Sequence, residues 1–404
     1  MSDAAPFRIR NAVLPSGEGP KGGSVSIAKG HIVALDDSGE GEAIDAGGKL
    51  LIPGLIDLGV FAIDKPASHF GGITRAALMP DQSPPLDLPS RIAYVAKSGK
   101  PGFWVHPLAA ATCTLAGAEL SELGLMQAEG ARGIATGRGW IADSAVMLRV
   151  LRYAAMLDLP VIAHAEDAAL IGDAVATAGE IATRLGLPAA PSEAEAIAIA
   201  RDVALAEMAG AHVHFRQVTT RAGLDFVRTA KKRGLRVTAG VTPAHFILSD
   251  LALADFRSFL RLSPPLRRED DRLAVREALA DGTIDVIASG HDPRGPEEKR
   301  LPFADAAPGM IGAQTLLALV LSLVRDGVLS LERAVALVTQ NPADLLKVPA
   351  GRIAVGAEAD LALVDPNKPW IVQSEEMGAG NTPFDGQGVQ GRVLRLWKGG
   401  AQVL

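Results

Sequence analysis

The chain has 404 residues, 48% of them apolar, a formal net charge of −6 and one cysteine, Cys113. That length accommodates one large domain plus a smaller one. Mild acidity argues against a nucleic-acid or anionic-membrane partner, and a single cysteine excludes an intramolecular disulfide framework and a cysteine-cluster zinc site.

The opening MSDAAPFRIR lacks an apolar h-region, so no signal peptide is expected. Residues 7–48 read as short strands (Phe7–Leu14, Ser24–Ala28, His31–Leu35) separated by turn clusters such as Pro15-Ser16-Gly17 and Gly39–Gly41. From residue 51 to about 345 strand and helix patterns alternate. Eight strands are expected: Leu51–Leu58, Ile73–Met79, Gly102–Pro107, Gly133–Ala135, Val161–His164, His212–Arg216, Arg236–Gly240 and Ile284–Ser289. Amphipathic helices are expected over Ala118–Glu129, Ser144–Leu157, Ser192–Ala209, Ala222–Arg233 and Arg268–Ala280, with two more near Gly309–Arg325 and Leu331–Leu337. This alternation predicts an α/β fold, a (β/α)8 TIM barrel. Cys113, among small residues, reads as a packing residue. No apolar run is long enough to span a bilayer; Leu316–Val324 is the most apolar helical run, and Arg325-Asp326 ends it. A cytoplasmic protein is therefore expected. Gly351–Asp365 and Gly391–Leu404 are strand-like, the latter a candidate hairpin around Lys398-Gly399-Gly400.

Lys49–Phe61 reads KLLIPGLIDLGVF. Here the chain resembles the amidohydrolase superfamily, and dihydroorotases in particular, whose PGLIDLHVH strand ends in two zinc-binding histidines. Pro53 to Leu58 match, but Gly59 and Phe61 stand at the two metal positions. Neither side chain has a lone pair to offer. The resemblance continues through Leu78-Met79-Pro80-Asp81 (MPN in the family), His164-Ala165-Glu166-Asp167 (HxED), His214–Thr220 (HxxHVST), Thr242–Phe246 (TPHHL), Ser263–Arg267 (NPPLR), Ser289–Arg294 (TDHAPH) and Asn381–Gly386. It implies a β-sandwich built from both termini, residues 1–50 and 350–404, flanking a barrel over 51–349.

At the metal positions it implies loss. Gly59, Phe61, Gln217 and Gly290 replace family ligands, no carboxylate stands near Arg138, and His164 alone is kept. One imidazole cannot hold catalytic zinc, which needs about three protein ligands. The His212/His214 pair has metal-like spacing, but the family register assigns it elsewhere. Ser263 replaces an asparagine that touches substrate. The segment Ala62–Gly72, with Pro66 and Gly71-Gly72, is too short for a full crossover helix, so the first barrel helix is expected to be missing and the gap covered by another part of the chain or a partner subunit.

Three functional readings follow. The first is a catalytically inactive dihydroorotase-like protein of pyrimidine biosynthesis that supports aspartate carbamoyltransferase, the role that the resemblance to inactive homologues of the family implies, with no cofactor and a homo-oligomeric state expected. The alternative is an active cyclic amidohydrolase with a rebuilt one-metal zinc site from His164, His291 and Asp292, with Asp64 or His69 contributing. The third is a binding module whose mouth, with Arg138, Arg216 and Arg294 (and Asp81 as a further candidate substrate contact), holds an anionic metabolite.

Overall fold

The computed structural model describes residues 5–15, 19, 21–377 and 380–404. Met1–Ala4 of the opening decapeptide, and Ser16 and Gly17 of the expected separator, lie outside the described residues. Five strands lead in: β1 (Phe7–Leu14), β2 (Lys21–Ala28), β3 (His31–Ala34), β4 (Glu42–Asp45) and β5 (Leu50–Pro53). The barrel strands follow: β6 (Leu55–Val60), β7 (Ile73–Leu78), β8 (Trp104–Ala110), β9 (Gly133–Ala135) and β10 (Val161–Ala163). After a two-residue pair, β11 (Ala176–Thr177) and β12 (Ala189–Ala190), come β13 (Val213–Phe215), β14 (Val237–Val241) and β15 (Val286–Ile287). The chain ends on β16 (Leu361–Ile371), β17 (Gly388–Lys398) and β18 (Ala401–Gln402).

The barrel sheet runs β15-β14-β13-β10-β9-β8-β7-β6, all parallel. Its remaining seam, between β6 and β15, is joined by a side chain. Asp57 on β6 accepts from the Ser289 backbone N–H at 2.8 Å and from the Ser289 hydroxyl. The interior holds Ile56, Leu58, Ala77, Leu108, Ala135, Ile162 and Val286, with Leu345, Leu346 and Val348 packed into the same cluster. Apolar alternation inside a closed sheet fills the barrel with side chains and leaves the C-terminal strand ends as the open face.

The second sheet takes β1–β5 from the front of the chain and β16–β18 from the back, in the order β18-β17-β16-β5-β1-β2-β3, with β4 on β1. The expected first barrel strand, Leu51–Leu58, is two strands. Leu50–Pro53 belongs to the terminal sheet and Leu55–Val60 to the barrel. Proline has no N–H for a ladder. Gly54 donates to Asp360 O at 2.8 Å, and a Cβ there would sit 2.5 Å from Thr74. The chain changes sheets at that point.

The segment between β6 and β7 also differs from expectation. A short helix, Lys65–Phe70, forms where none was expected. Asp64 caps it, accepting from Ala67 N at 3.0 Å, Pro66 lies in its first turn, and Gly71 ends it. Proline in a first turn costs little because its missing N–H has no helical partner anyway. The residues read as helix breakers therefore mark the ends of a short helix. Its outer side is covered by the same chain: Phe70 meets Trp370 of β16 edge-on at 5.4 Å, and the Arg392 guanidinium of β17 lies 3.7 Å from the Phe70 ring.

Between the two sheets sits a buried charge network. Arg75 of β7 pairs with Asp360 at 2.8 Å and with Glu358 at 2.5 Å, and Lys398 pairs with Asp360 at 3.0 Å and with Glu358. The remaining expected barrel strands and helices agree with the structure to within a few residues, except that the helix expected over Ala118–Glu129 is confined to Leu123–Ala128 and that expected over Gly309–Arg325 to Leu316–Arg325. Among the described residues no helix is long and apolar enough to cross a membrane.

Candidate functional site

The barrel mouth is built from residues just beyond the strand ends. At the end of β6, Leu58 opposes Ala77 and Val60 opposes Leu78, so Gly59 is an extra, bulged residue. Its φ is +87°, and a Cβ there would stand 3.4 Å from Arg216 Cδ. The Arg216 stem lies in contact with that position, and the left-handed backbone there favours glycine. Phe61 is 8% exposed and packs with the apolar barrel interior. Two guanidinium groups flank its ring, Arg138 at 3.7 Å and Arg216 at 5.1 Å from the centroid. At the end of β15, Gly290 has φ +66°, and a Cβ would lie 2.6 Å from Met310 Cε and 2.9 Å from Thr242 Cγ2.

His164 is buried with both ring nitrogens engaged. Arg216 Nη2 approaches Nδ1 at 3.3 Å, and Nε2 lies 3.3 Å from Glu166 Oε2. Guanidinium has no lone pair to accept with, so Nδ1 is the acceptor and Nε2 carries the proton toward Glu166. Burial by itself would raise the Glu166 carboxyl; the His164 hydrogen bond and the Arg267 charge outweigh it and hold it at about 2. Arg267 donates to Glu166 at 2.7 Å, to Thr219 at 2.9 Å and to Glu195 at 3.4 Å. Glu195, wholly buried, accepts in turn from the backbone N–H groups of Thr219 and Thr220. His164 and the Ser263–Arg267 segment thus meet in one buried ionic network. Arg267 and Glu195 were missed as partners because their pairing spans 72 residues.

The other candidates divide in the same way. Asp292 takes a two-bonded pair from Arg138, Nη1 to Oδ2 at 2.5 Å and Nη2 to Oδ1 at 2.9 Å, and a third bond from Arg294 at 3.1 Å. Its position is therefore that of an ion-paired carboxylate. Arg294 also binds Glu298 and Pro308 O. Asp81 accepts from the Arg138 backbone N–H at 2.8 Å. Arg138, Arg294, Asp81 and Asp292 do converge at the mouth, but largely on one another. His291 is buried with neither ring nitrogen partnered among the described residues, and burial lowers its pKa.

Asp64 is committed to the helix cap, and His69 points elsewhere, to Gly102 O at 3.2 Å ahead of β8. His212 and His214 both reach the single Thr238 hydroxyl at 3.0 Å. Burial pushes them down to about 4 and about 3 respectively. His245 is held by Thr242 and by Pro264 O, and burial lowers it to about 4. Cys113 is half-buried, its Sγ 3.5 Å from Leu120 O.

Zinc catalysis of the family's kind needs about three protein ligands around an open position. Among the described residues no group of three or more His, Cys, Asp or Glu side chains is placed to hold a metal ion. The mouth instead concentrates guanidinium groups, which repel a divalent cation. The residues present do not fit the family's metal.

Residues 113–403 match the Amidohydrolase family. The chain is 40% identical over 371 residues to the dihydroorotase of Syntrophotalea carbinolica, covering 88% of this chain and 87% of that protein. It is 38% identical over 398 residues to the dihydroorotase of Pelotomaculum thermopropionicum, covering 95% and 92%. Its fold is similar to that of the L-hydantoinase of Arthrobacter aurescens, with a TM-score of 0.88 at 23% identity over 98% of this chain and 95% of that one. A barrel with this mouth and a sheet from both termini, in a chain so related, belongs to the amidohydrolase family as a dihydroorotase-like member.

Proposed function

We propose that this chain is a non-catalytic dihydroorotase-like protein that serves pyrimidine biosynthesis as a structural partner of aspartate carbamoyltransferase. The observation that carries the first half is the mouth itself. Opening or closing a cyclic amide near neutral pH calls for an activated nucleophile and a polarised carbonyl. Where the family places ligands, this chain has a bulged glycine, a core phenylalanine between two arginines, a glutamine and a second left-handed glycine. The one family ligand it keeps, His164, spends both ring nitrogens on Arg216 and Glu166. The partner is what the family resemblance implies, and a homo-oligomeric state and a cytoplasmic location go with it.

A second reading, an active cyclic amidohydrolase, is favoured by the relatives, which carry the name dihydroorotase. It requires Asp292 to leave the Arg138 pair and His164 to leave Arg216. Elemental analysis of protein purified without chelator, with dihydroorotate turnover assayed on the same sample, separates the two. The proposal expects no stoichiometric zinc, no turnover, and co-elution with aspartate carbamoyltransferase. About one metal per chain, with turnover lost in His164→Ala or Asp292→Ala, would overturn it.

A further inference from the structure

Arg216 is a buried cation that no carboxylate among the described residues pairs with or hydrogen-bonds. It is 5% exposed. Its hydrogen bond from Nη2 goes to an imidazole nitrogen, and its Nε is buried with no partner among the described residues. Of the nearby carboxylates, Asp292 is engaged with Arg138 and Arg294 and Glu166 with Arg267 and His164, while Asp81, whose charge acts on Arg216 most among them, accepts the Arg138 N–H through Oδ1 and does not hydrogen-bond Arg216. A guanidinium removed from water without a bonded counter-charge is costly, and an aromatic face at 5.1 Å offsets only part of that cost. Burial accordingly lowers the Arg216 pKa to about 10.

This side chain lines a cavity of about 100 Å³ whose walls include Phe61, Gln217, Ser263 and Met310. Gln217 Oε1 is also buried without a partner among the described residues, and Ser263 is exposed at the cavity's edge. The amide of Gln217 can turn to present its NH2 group instead. The volume admits a few heavy atoms.

We infer that the cavity binds a small oxyanion, a carboxylate or inorganic phosphate, with Arg216 as the binding cation and Gln217 beside it. This rests on the reading above that the mouth holds no metal. A guanidinium presents N–H donors in a planar fork suited to two oxygens of one anion. The Arg216 stem packs directly beside Gly59, where a Cβ would lie in van der Waals contact with it at 3.4 Å.

The test is calorimetric titration of the full chain, dialysed against EDTA at constant ionic strength, with acetate, malonate and phosphate in separate arms. Saturable binding of at least one of them, weakened about tenfold or more in Arg216→Met, is the expected result, and the arm that responds identifies carboxylate or phosphate. Ser263→Phe, a change at an exposed position on the cavity's edge, is designed to block the cavity while Arg216 itself is kept. It should abolish binding while the circular dichroism spectrum is kept, and it decides the matter if Arg216→Met does not fold. Absence of binding in all three arms, or equal binding by Arg216→Met or by folded Ser263→Phe, overturns the inference and leaves the non-catalytic reading standing. Binding that EDTA removes and zinc restores overturns both.

Discussion

Gly290 shows how far the mouth has moved from a metal site. The family carries an aspartate at this position by resemblance, but here the backbone is left-handed and the space is filled. Gly290→Asp should cost on the order of 2–3 kcal/mol, from strain and from the clash with Met310 and Thr242. Urea unfolding would measure that loss, and elemental analysis of the same variant should find no gain in zinc; a stoichiometric gain would mean that one residue had been suppressing the site. Arg138→Leu is expected to be milder. The Arg138 side chain is 38% exposed, and Asp292 keeps Arg294, so a loss of about 1 kcal/mol is expected, read from the same unfolding midpoints. The substitutions at 59, 61, 217 and 290 were legible in the sequence because each sits inside a matching motif. The arginines at the mouth were legible too, but not their contacts: Arg216 reaches Phe61 and His164 only because three strand ends meet at one mouth.

Among the elements, the β6–β15 seam carries a pH signature. Burial raises the Asp57 carboxyl from 3.8 to about 6, against the two hydrogen bonds from Ser289. Because the folded-state pKa is raised, protonation of Asp57 favours the fold. That contribution is fully present below about pH 4 and is lost as pH rises through 6, amounting to about 3 kcal/mol at most. Asp57→Asn should flatten the stability profile between those limits, in denaturant titrations across the range; an unchanged slope would place the pH dependence elsewhere. The Glu166 carboxyl behaves oppositely. Its pKa is lowered from 4.5 to about 2, so its contribution holds above 4.5 and is lost as pH falls through 2. Arg267→Met leaves Glu166 and Glu195 buried without their cation, and a loss of about 3–5 kcal/mol in unfolding free energy is expected. The sequence assigned Ser263–Arg267 to a family motif, yet the side-chain role of Arg267 depends on a helix and a strand end far away in the chain.

For the molecule as a whole, the two sheets share a continuous chain path through Gly54 and the Arg75–Asp360–Lys398 network. Arg75 is 1% exposed. Replacing it with methionine leaves Asp360 and Glu358 with Lys398 alone and should lower global stability by about 3 kcal/mol. A single calorimetric transition is expected for both parent and variant; two separated transitions would show that the sheets unfold independently.

The sequence by itself determined the alternating strands and helices of the barrel, because periodic apolar patterns and proline–glycine signals act locally along the chain; the joining of both termini in one sheet and the replacements at family ligand positions were what the resemblance implied. It also placed strand 1 across Gly54 without revealing the change of sheet, since Leu50–Leu58 is apolar on both sides of the junction. The tertiary structure alone decided which charges meet. Asp292 with Arg138 spans 154 residues, Arg267 with Glu166 spans 101, and Arg75 with Asp360 spans 285. Ion pairs depend on distance in space and on burial, and neither is written in the spacing of residues along the chain.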